Sequence, residues 1–385
     1  VEVLFWASLG LVLYVYVGYP ALAFVMGKVF RRAVAKAPIE PTVTIVIAAY
    51  NEHRHIAATI ENKLALDYPP DKLSIIVVSD ESTDGTDDIV ARYAREYPER
   101  VRLLRQTPRN GKTSALNLAM PLATGEIVVF SDANSLYDRG ALRALVANFA
   151  DPSVGYVTGR IEYANAGSSA IGGGSSKFMS YEHLLRLQET LIGSVVGVDG
   201  GIDAVRRSLY RPMRHDQLPD FVLPLRVVEQ GYRVVYSPDA LLVEEALTKD
   251  RDEFRMRVRV ALRALWALFD MRALFNFGRF GMFSWQLLSH KALRYLAFIP
   301  LGLLFVATIV LVARRAGAIY DIALVGEMLG LALALVGLIR ARRWAGRGGI
   351  ATAAYYFVIL NAACAYAFLK FLRRERQAIW QPRVG

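Results

Sequence analysis

The sequence predicts an α/β domain with a mostly parallel, Rossmann-like sheet, set between transmembrane helices and flanked by amphipathic helices at the membrane interface. Three observations lead there. Of 385 residues, 54% are hydrophobic, too many for an ordinary water-soluble enzyme. The long uncharged runs fall only at the two ends, whereas the centre alternates short apolar runs with stretches of helical periodicity. The net charge of +11 is also unevenly spread: Lys and Arg crowd beside the apolar runs, at 28–36, 251–263, 340–347 and 373–376. That pattern marks cytoplasmic flanks in contact with anionic lipid headgroups, and it argues against nucleic acid as the partner. The single cysteine, Cys364, sits in an apolar run, which excludes an intramolecular disulfide and a thiolate metal cluster.

In chain order, residues 3–25 are uncharged and reach the roughly 20 residues a bilayer span needs. With no small-residue cleavage site after it, the run reads as an anchor, not a leader, and the basic cluster Lys28, Arg31 and Arg32 puts the central domain in the cytoplasm. Apolar runs at 43–49, 73–79 and 101–105 each precede a helical stretch, and this β-α-β-α-β-α alternation requires parallel strands with helices on both faces. The Gly/Ser-rich stretch 167–176 reads as a loop of the kind that gates a site, and a helix is predicted over 181–191. Residues 253–269 place Phe254, Val258, Ala261, Leu262 and Leu265 at helical spacing against arginines, a helix too charged to span but suited to an interface. Further apolar runs cover 293–312, 319–339 and 350–372. The resulting divisions are 1–27, an N-terminal span; 40–250, the α/β domain; 251–290, the interface helices; 291–372, the C-terminal spans; and 373–385, a basic tail. One span before the domain and three after it put the tail outside, whereas its arginines argue for inside.

Ligands of such sheets bind beyond the carboxyl ends of the strands, and the polar clusters fall there. The strand at 127–131 stops on Asp132, with Asn134 two positions on. Oxygen ligands at a strand end suit a hard divalent cation, which in turn can hold a diphosphate; alone, the pair equally makes an Asx-type turn. Tyr50 and Glu52 end the first strand and Asp80 ends the second, while Lys112 opens a helix without the glycine spacing of a P-loop. Gly200 and Gly201 permit close approach of a ligand. Asp220 begins an apolar helix, as a plain N-cap or as a general base.

In this order the motifs Ala49-Tyr50-Asn51-Glu52, Ser79-Asp80 to Thr86, Gly111-Lys112 to Asn117, Ser131-Asp132-Ala133-Asn134 and Gly231-Tyr232-Arg233 resemble the membrane-integrated family-2 glycosyltransferases. That family includes hyaluronan, chitin, cellulose and poly-N-acetylglucosamine synthases, and the resemblance covers roughly residues 40–290. It implies a GT-A-like cytosolic domain and a metal-dependent, inverting transfer from a nucleotide-sugar donor, by the resemblance a UDP-sugar, with Mg2+ or Mn2+. It implies that Tyr50, Glu52 and Asp80 hold the nucleoside, that Lys112 lies near the diphosphate, that Asp132 and Asn134 coordinate the cation, and that Gly200 and Gly201 floor the acceptor site. Asp220 inherits the base role from the family's Thr-Glu-Asp-x-x-Leu pattern, here Leu218-Pro219-Asp220-Phe221-Val222-Leu223. The family's Gln-x-x-Arg-Trp is replaced by residues 256–260, which keep Arg257 and Arg259 for the diphosphate but lose the tryptophan that a growing chain meets; Trp266 and Trp380 are the candidate substitutes. The implied product is a cell-envelope or extracellular polysaccharide made at the membrane and passed through it. The alternative is transfer of one sugar to a lipid-linked acceptor, and a more distant one is an inactive nucleotide-sugar-binding or transport protein.

Overall fold

The computed structural model describes residues 1–163, 170–244, 250–343 and 349–377, with the side chains of 163, 170–178, 250–253 and 341–343 set aside. Gly167, Arg347 and Trp380, singled out in the sequence, lie outside the described residues.

Eight described strands form one sheet: β1 (Val43–Ala49), β2 (Leu73–Ser79), β3 (Val101–Arg105), β4 (Ile127–Asp132), β5 (Leu136–Tyr137), β6 (Val154–Tyr163), β7 (Asp203–Arg206) and β8 (Arg233–Glu244). Their spatial order is β3-β2-β1-β4-β7-β6-β8-β5. β1, β2 and β4 are continuous Val/Ile runs because both of their faces are covered. Val46, Ile76 and Val128 face one apolar core and Ile45, Ile75 and Val129 the other.

The predicted mostly parallel sheet holds for β3-β2-β1-β4. Beyond β4 the sheet is mixed: β7 runs antiparallel to both β4 and β6, and β5 antiparallel to β8, while β6 and β8 are parallel. The helix Ala170–Ile192 runs back to the amino ends of β6 and β8, where Arg233 donates to the carbonyls of Thr190 and Gly193, and residues 193–202 then return to the carboxyl end of β4, so the next strand must descend. This helix also takes up residues 170–176, read from the sequence as loop. Glycine propensity is a weak prior, and here it is outweighed by packing of Leu185 and Ile192 against Tyr19 and Ala23. The consequence is functional, because the amino end of β7 is thereby placed beside the carboxyl end of β4, with Asp203 paired to Phe130. Strand order reverses between β1 and β4, which is where such sheets open a ligand crevice.

Among the described residues, three helices are long and apolar enough to cross a membrane: Glu2–Phe30, Ala318–Arg340 and Ile350–Leu372. A fourth candidate is the pair Met282–Tyr295 and Phe298–Ala313, bent by 58°. Phe5 at one end of the first helix packs on Leu304, Leu311 and Tyr320, whereas Tyr19 and Ala23 at the other end pack on Leu185 and Ile192 of the helix Ala170–Ile192. The amphipathic helix Asp250–Asp270 buries Val258, Ala261, Leu262 and Leu265 against Ala363 and Ala367 of the last helix. Trp266 closes this contact: its ring lies 4.5 Å from that of Phe371, and its Nε1 donates to the Glu375 carbonyl at 2.8 Å. Arg376 pairs with Asp216, so the described tail lies against the α/β domain.

Candidate active site

Three strand ends and two helix starts build the site. After β1 the chain turns sharply, with Asn51 at φ 55°, its N–H donating to Ser82 Oγ and its Oδ1 accepting from the Thr83 N–H. The Glu52 N–H donates to Thr86 Oγ1 at 2.9 Å, locking the β1 and β2 loops together. Tyr50 lies under the Arg109 guanidinium at 3.5 Å, an arrangement that presents an aromatic face and a cation together. Asp80 turns inward. Its carboxylate accepts from the backbone N–H groups of Asn110 and Gly111 and from Gln106, and it is buried. It therefore organises the start of the helix Gly111–Ala119, which aims Lys112.

Lys112 is the centre of the charge arrangement. Its Nζ lies 2.7 Å from Asp132 Oδ1 and 3.4 Å from Asp220 Oδ1, joining the end of β4 to the helix Pro219–Glu229. Burial works against the ammonium, but Asp132 and Asp220 outweigh it and hold its pKa above the ordinary lysine value. Asp220 moves the other way: burial pushes its carboxyl pKa up, Asp132 adds to this, and Lys112 opposes it. The Gly200-Gly201 turn passes directly beneath. A Cβ on Gly200 would lie 2.9 Å from the Asp220 carboxyl carbon, and one on Gly201 would lie 3.3 Å from Ser135 Oγ and 3.7 Å from Asp132 Oδ2. Both residues have positive φ, +79° and +74°, so glycine is required twice over.

Asn134 faces Glu244 at the end of β8, its Nδ2 donating to Oε1 at 3.2 Å. Asp132, Asn134 and Glu244 carry oxygen donors at the ends of β4 and β8 and in the loop between β4 and β5. Among the described residues no three His, Cys, Asp or Glu side chains form a closed metal cage. This donor set fits a hard cation shared with a diphosphate, since such ions commonly take one or two carboxylates and complete their shell from substrate.

The structure separates Arg257 from this group. Arg257 donates to Tyr356 Oη on the last helix at 2.5 Å and lines a different cavity, while Arg259 is half-buried on the same amphipathic helix. The arginine that reaches the site is Arg263, which donates to the Gln217 carbonyl and whose charge acts on Asp220. Sequence spacing could not select it, because arginines recur along that helix and only packing decides which one turns inward. Lys63 also escapes a reading of the sequence. It is fully buried, donates to the Ser135 carbonyl at 2.6 Å and sits 3.5 Å over the Tyr137 ring, propping the loop that carries Asp132 and Asn134.

Asp203 is the third unflagged residue, although a carboxylate inside an apolar strand was visible as a signal. It is 1% exposed, and among the described residues neither of its oxygens has a hydrogen-bond partner. Burial, and secondarily the Asp220 charge, push its pKa up to about 8. The unfolded chain ionises Asp near its ordinary value of about 3.9, so the folded state holds the extra proton between there and about pH 8. Stability therefore falls as pH rises through that window, by at most about 1.4 kcal/mol per pH unit, and Asp203→Asn removes the effect. Melting curves are expected to show the variant gaining on the wild type as pH rises from 5 to 8; parallel curves would contradict this assignment.

An aromatic face under an arginine and a lysine between two carboxylates thus gather beyond the carboxyl ends of β1 and β4, at the sheet's switch point, where such sheets bind their ligands. Residues 44–213 match the family model for Glycosyl transferase family 2, and the chain carries a glycosyltransferase domain of that family. The fold is GT-A-like, and the matched domain is of the glycosyltransferase class. Over 169 residues the chain is 34% identical to Beta-monoglucosyldiacylglycerol synthase from Nostoc sp. (strain PCC 7120 / SAG 25.82 / UTEX 2576), covering 43% of this chain and 36% of that one. Over 216 residues it is 30% identical to Poly-beta-1,6-N-acetyl-D-glucosamine synthase from Staphylococcus aureus (strain COL), covering 53% of this chain and 51% of that one. These matches span between about a third and a half of the curated relatives. A solved mannosyltransferase, PcManGT from Pyrobaculum calidifontis in complex with GDP-Man and Mn2+, aligns over 97% of this chain and 99% of its own, with 27% identity and a TM-score of 0.75.

Proposed function

We propose that this chain transfers a single hexose, with inversion, from a nucleoside-diphosphate sugar to an acceptor carried on a membrane lipid. The carrying observation is the Lys112 bridge between Asp132 and Asp220 above the Gly200-Gly201 turn. In this reading Tyr50, Arg109 and Glu52 receive the nucleoside, and Asp80 shapes their loops. Lys112 and Arg263 face the charge that builds on the departing diphosphate. Asp132 and Asn134 would hold the divalent cation; when bound, it supplies charge neutralisation at the diphosphate. Asp220 accepts the proton of the acceptor hydroxyl as that oxygen forms its bond to the anomeric carbon, and the bond from that carbon to the diphosphate oxygen breaks, its electron pair leaving with the nucleotide.

The engagement of Trp266 with Phe371 and Glu375 favours single transfer, because the ring that would substitute for the family's chain-binding tryptophan is already occupied. A second reading, extension of a polysaccharide with passage through the membrane, is favoured by the 30% identity to the N-acetylglucosamine polymer synthase. On topology, the tail's contacts with the α/β domain favour an even number of crossings between them. Phe298–Ala313 and Ala318–Arg343 would supply two, with Ile350–Leu372 lying along the amphipathic helix at the cytoplasmic interface.

The test is a product analysis with purified full-length chain, membrane lipid extract, Mn2+ or Mg2+ and a panel of GDP- and UDP-sugars. One sugar added to a lipid, abolished by chelation, is the expected outcome. A high-mass glycan from one donor would replace this reading with the second.

A further inference from the structure

A second cavity lies between the amphipathic helix, the last helix and the segment 290–295. Its volume is about 370 Å³, within the range of small-molecule sites. Arg257, Lys291 and Arg294 line it, and the one described carboxylate there is Glu182. Glu182 is already committed: Arg294 Nη1 donates to it, Lys291 lies 3.7 Å from Oε2, and His290 Nε2 lies 3.3 Å from Oε1. Burial opposes ionisation of Glu182, but these cations hold its pKa well below the carboxylate range. Arg257, Lys291 and Arg294 outnumber the one carboxylate among the described lining residues, and a low-dielectric pocket lined in this way favours an anion.

The wall contributed by the last helix is largely apolar, Thr352 and Asn361 excepted. Thr352, Ala353, Tyr356, Phe357, Leu360 and Cys364 present one stripe of the last helix, about 18 Å long at 1.5 Å per residue. Tyr16, Tyr181, Tyr295 and Tyr356 also line the cavity, and tyrosines are enriched at headgroup depth. Two elements join the cavity to the catalytic group. A Cβ on Gly197 would lie 2.5 Å from Lys291 Nζ, and three residues later Gly200 touches Asp220. Val260 and Ala261 line the cavity from the helix whose Arg263 reaches Gln217 beside Asp220.

We propose that this cavity holds the phosphate headgroup and the adjoining chain of the lipid that carries the acceptor, the phosphate between Arg257 and Lys291 and the chain along the stripe from Tyr356 to Cys364. The proposal rests on the lipid-acceptor reading above and adds the ligand chemistry and its residues. The acceptor hydroxyl then reaches Asp220 past the Gly197–Gly201 turn.

The test is native mass spectrometry of the detergent-solubilised full chain offered phosphatidic acid or a polyprenyl phosphate, with diacylglycerol, polyprenol and inorganic phosphate as comparisons. Arg257→Gln, Lys291→Gln and the cavity-filling Leu360→Trp are expected to lower retention of the phosphate lipids at least tenfold. The exposed Arg272→Gln is expected to leave it unchanged. Nucleotide-sugar-dependent thermal protection checks that each variant is folded, and only folded variants are scored; Leu360→Trp keeps the test open if a charge variant fails to fold. Equal retention of the uncharged lipids, or undiminished retention in the folded variants, would overturn the proposal. Inorganic phosphate held as tightly as the lipids would reassign the cavity to free phosphate. Retention in the expected pattern, with no sugar transferred to any lipid, would uphold the cavity and remove the acceptor reading alone.

Discussion

Asp220→Asn is expected to lower the transfer rate by about 10²–10⁴-fold while leaving donor binding and the fold in place. The amide keeps the shape and its hydrogen-bonding reach but cannot take a proton. Its one ionic partner among the described side chains, Lys112, retains Asp132 at 2.7 Å, so the loop geometry has an anchor independent of Asp220. Because burial and Asp132 raise the Asp220 pKa, the wild-type rate should climb with pH through a limb above the ordinary Asp value. Lys112 pulls that pKa down, so Lys112→Met should move the limb to higher pH as well as weakening turnover. Rate profiles at saturating donor, with nucleotide affinity measured separately by calorimetry, read both effects. Near-normal turnover in a folded Asp220→Asn enzyme would remove it from the chemistry.

Gly200→Ala is the second large effect, and it acts through two causes. At φ +79° an L-residue pays about 1–2 kcal/mol for the left-handed conformation, which should appear as a lower melting temperature. The new methyl also meets the Asp220 carboxyl carbon and Oδ2 at 2.9 Å, closer than any real contact, so the carboxylate must move. A displacement of about 1 Å at a reacting group costs on the order of 100-fold, so the turnover number should fall by about that factor with donor affinity nearly unchanged. Gly85 offers the comparison: its φ is +90° but a Cβ there would have no atom within 4 Å, so Gly85→Ala should cost stability without the loss of turnover. If both alanine variants lost only stability, the Gly200 turn would not be part of the acceptor floor.

The parts of this protein that a linear pattern can carry were legible in the sequence. Continuous Val/Ile runs at β1, β2 and β4 had to be strands covered on both faces, and Asp132, Lys112 and Asp220 stood out as polar residues at the edges of apolar elements. The separate apolar ends announced membrane helices because bilayer thickness sets a length that composition alone reveals.

What depends on which residues meet across long separations was decided only in three dimensions. The direction of β7 follows from residues 193–202, which carry the chain from the end of the long helix back to the carboxyl end of β4, so the Gly200-Gly201 turn reaches the site at the amino end of a descending strand. Asp80 could as well have faced a ligand, but the backbone N–H groups at 110 and 111 claim its carboxylate. The arginines of the amphipathic helix are equivalent in pattern; helix packing turns Arg263 toward Gln217 and Arg257 toward Tyr356. Periodicity along one chain thus determined the elements and their polar ends. The division of that helix between a catalytic group and a lipid-level cavity came from the rotation imposed by burying Val258, Ala261, Leu262 and Leu265 against the last helix.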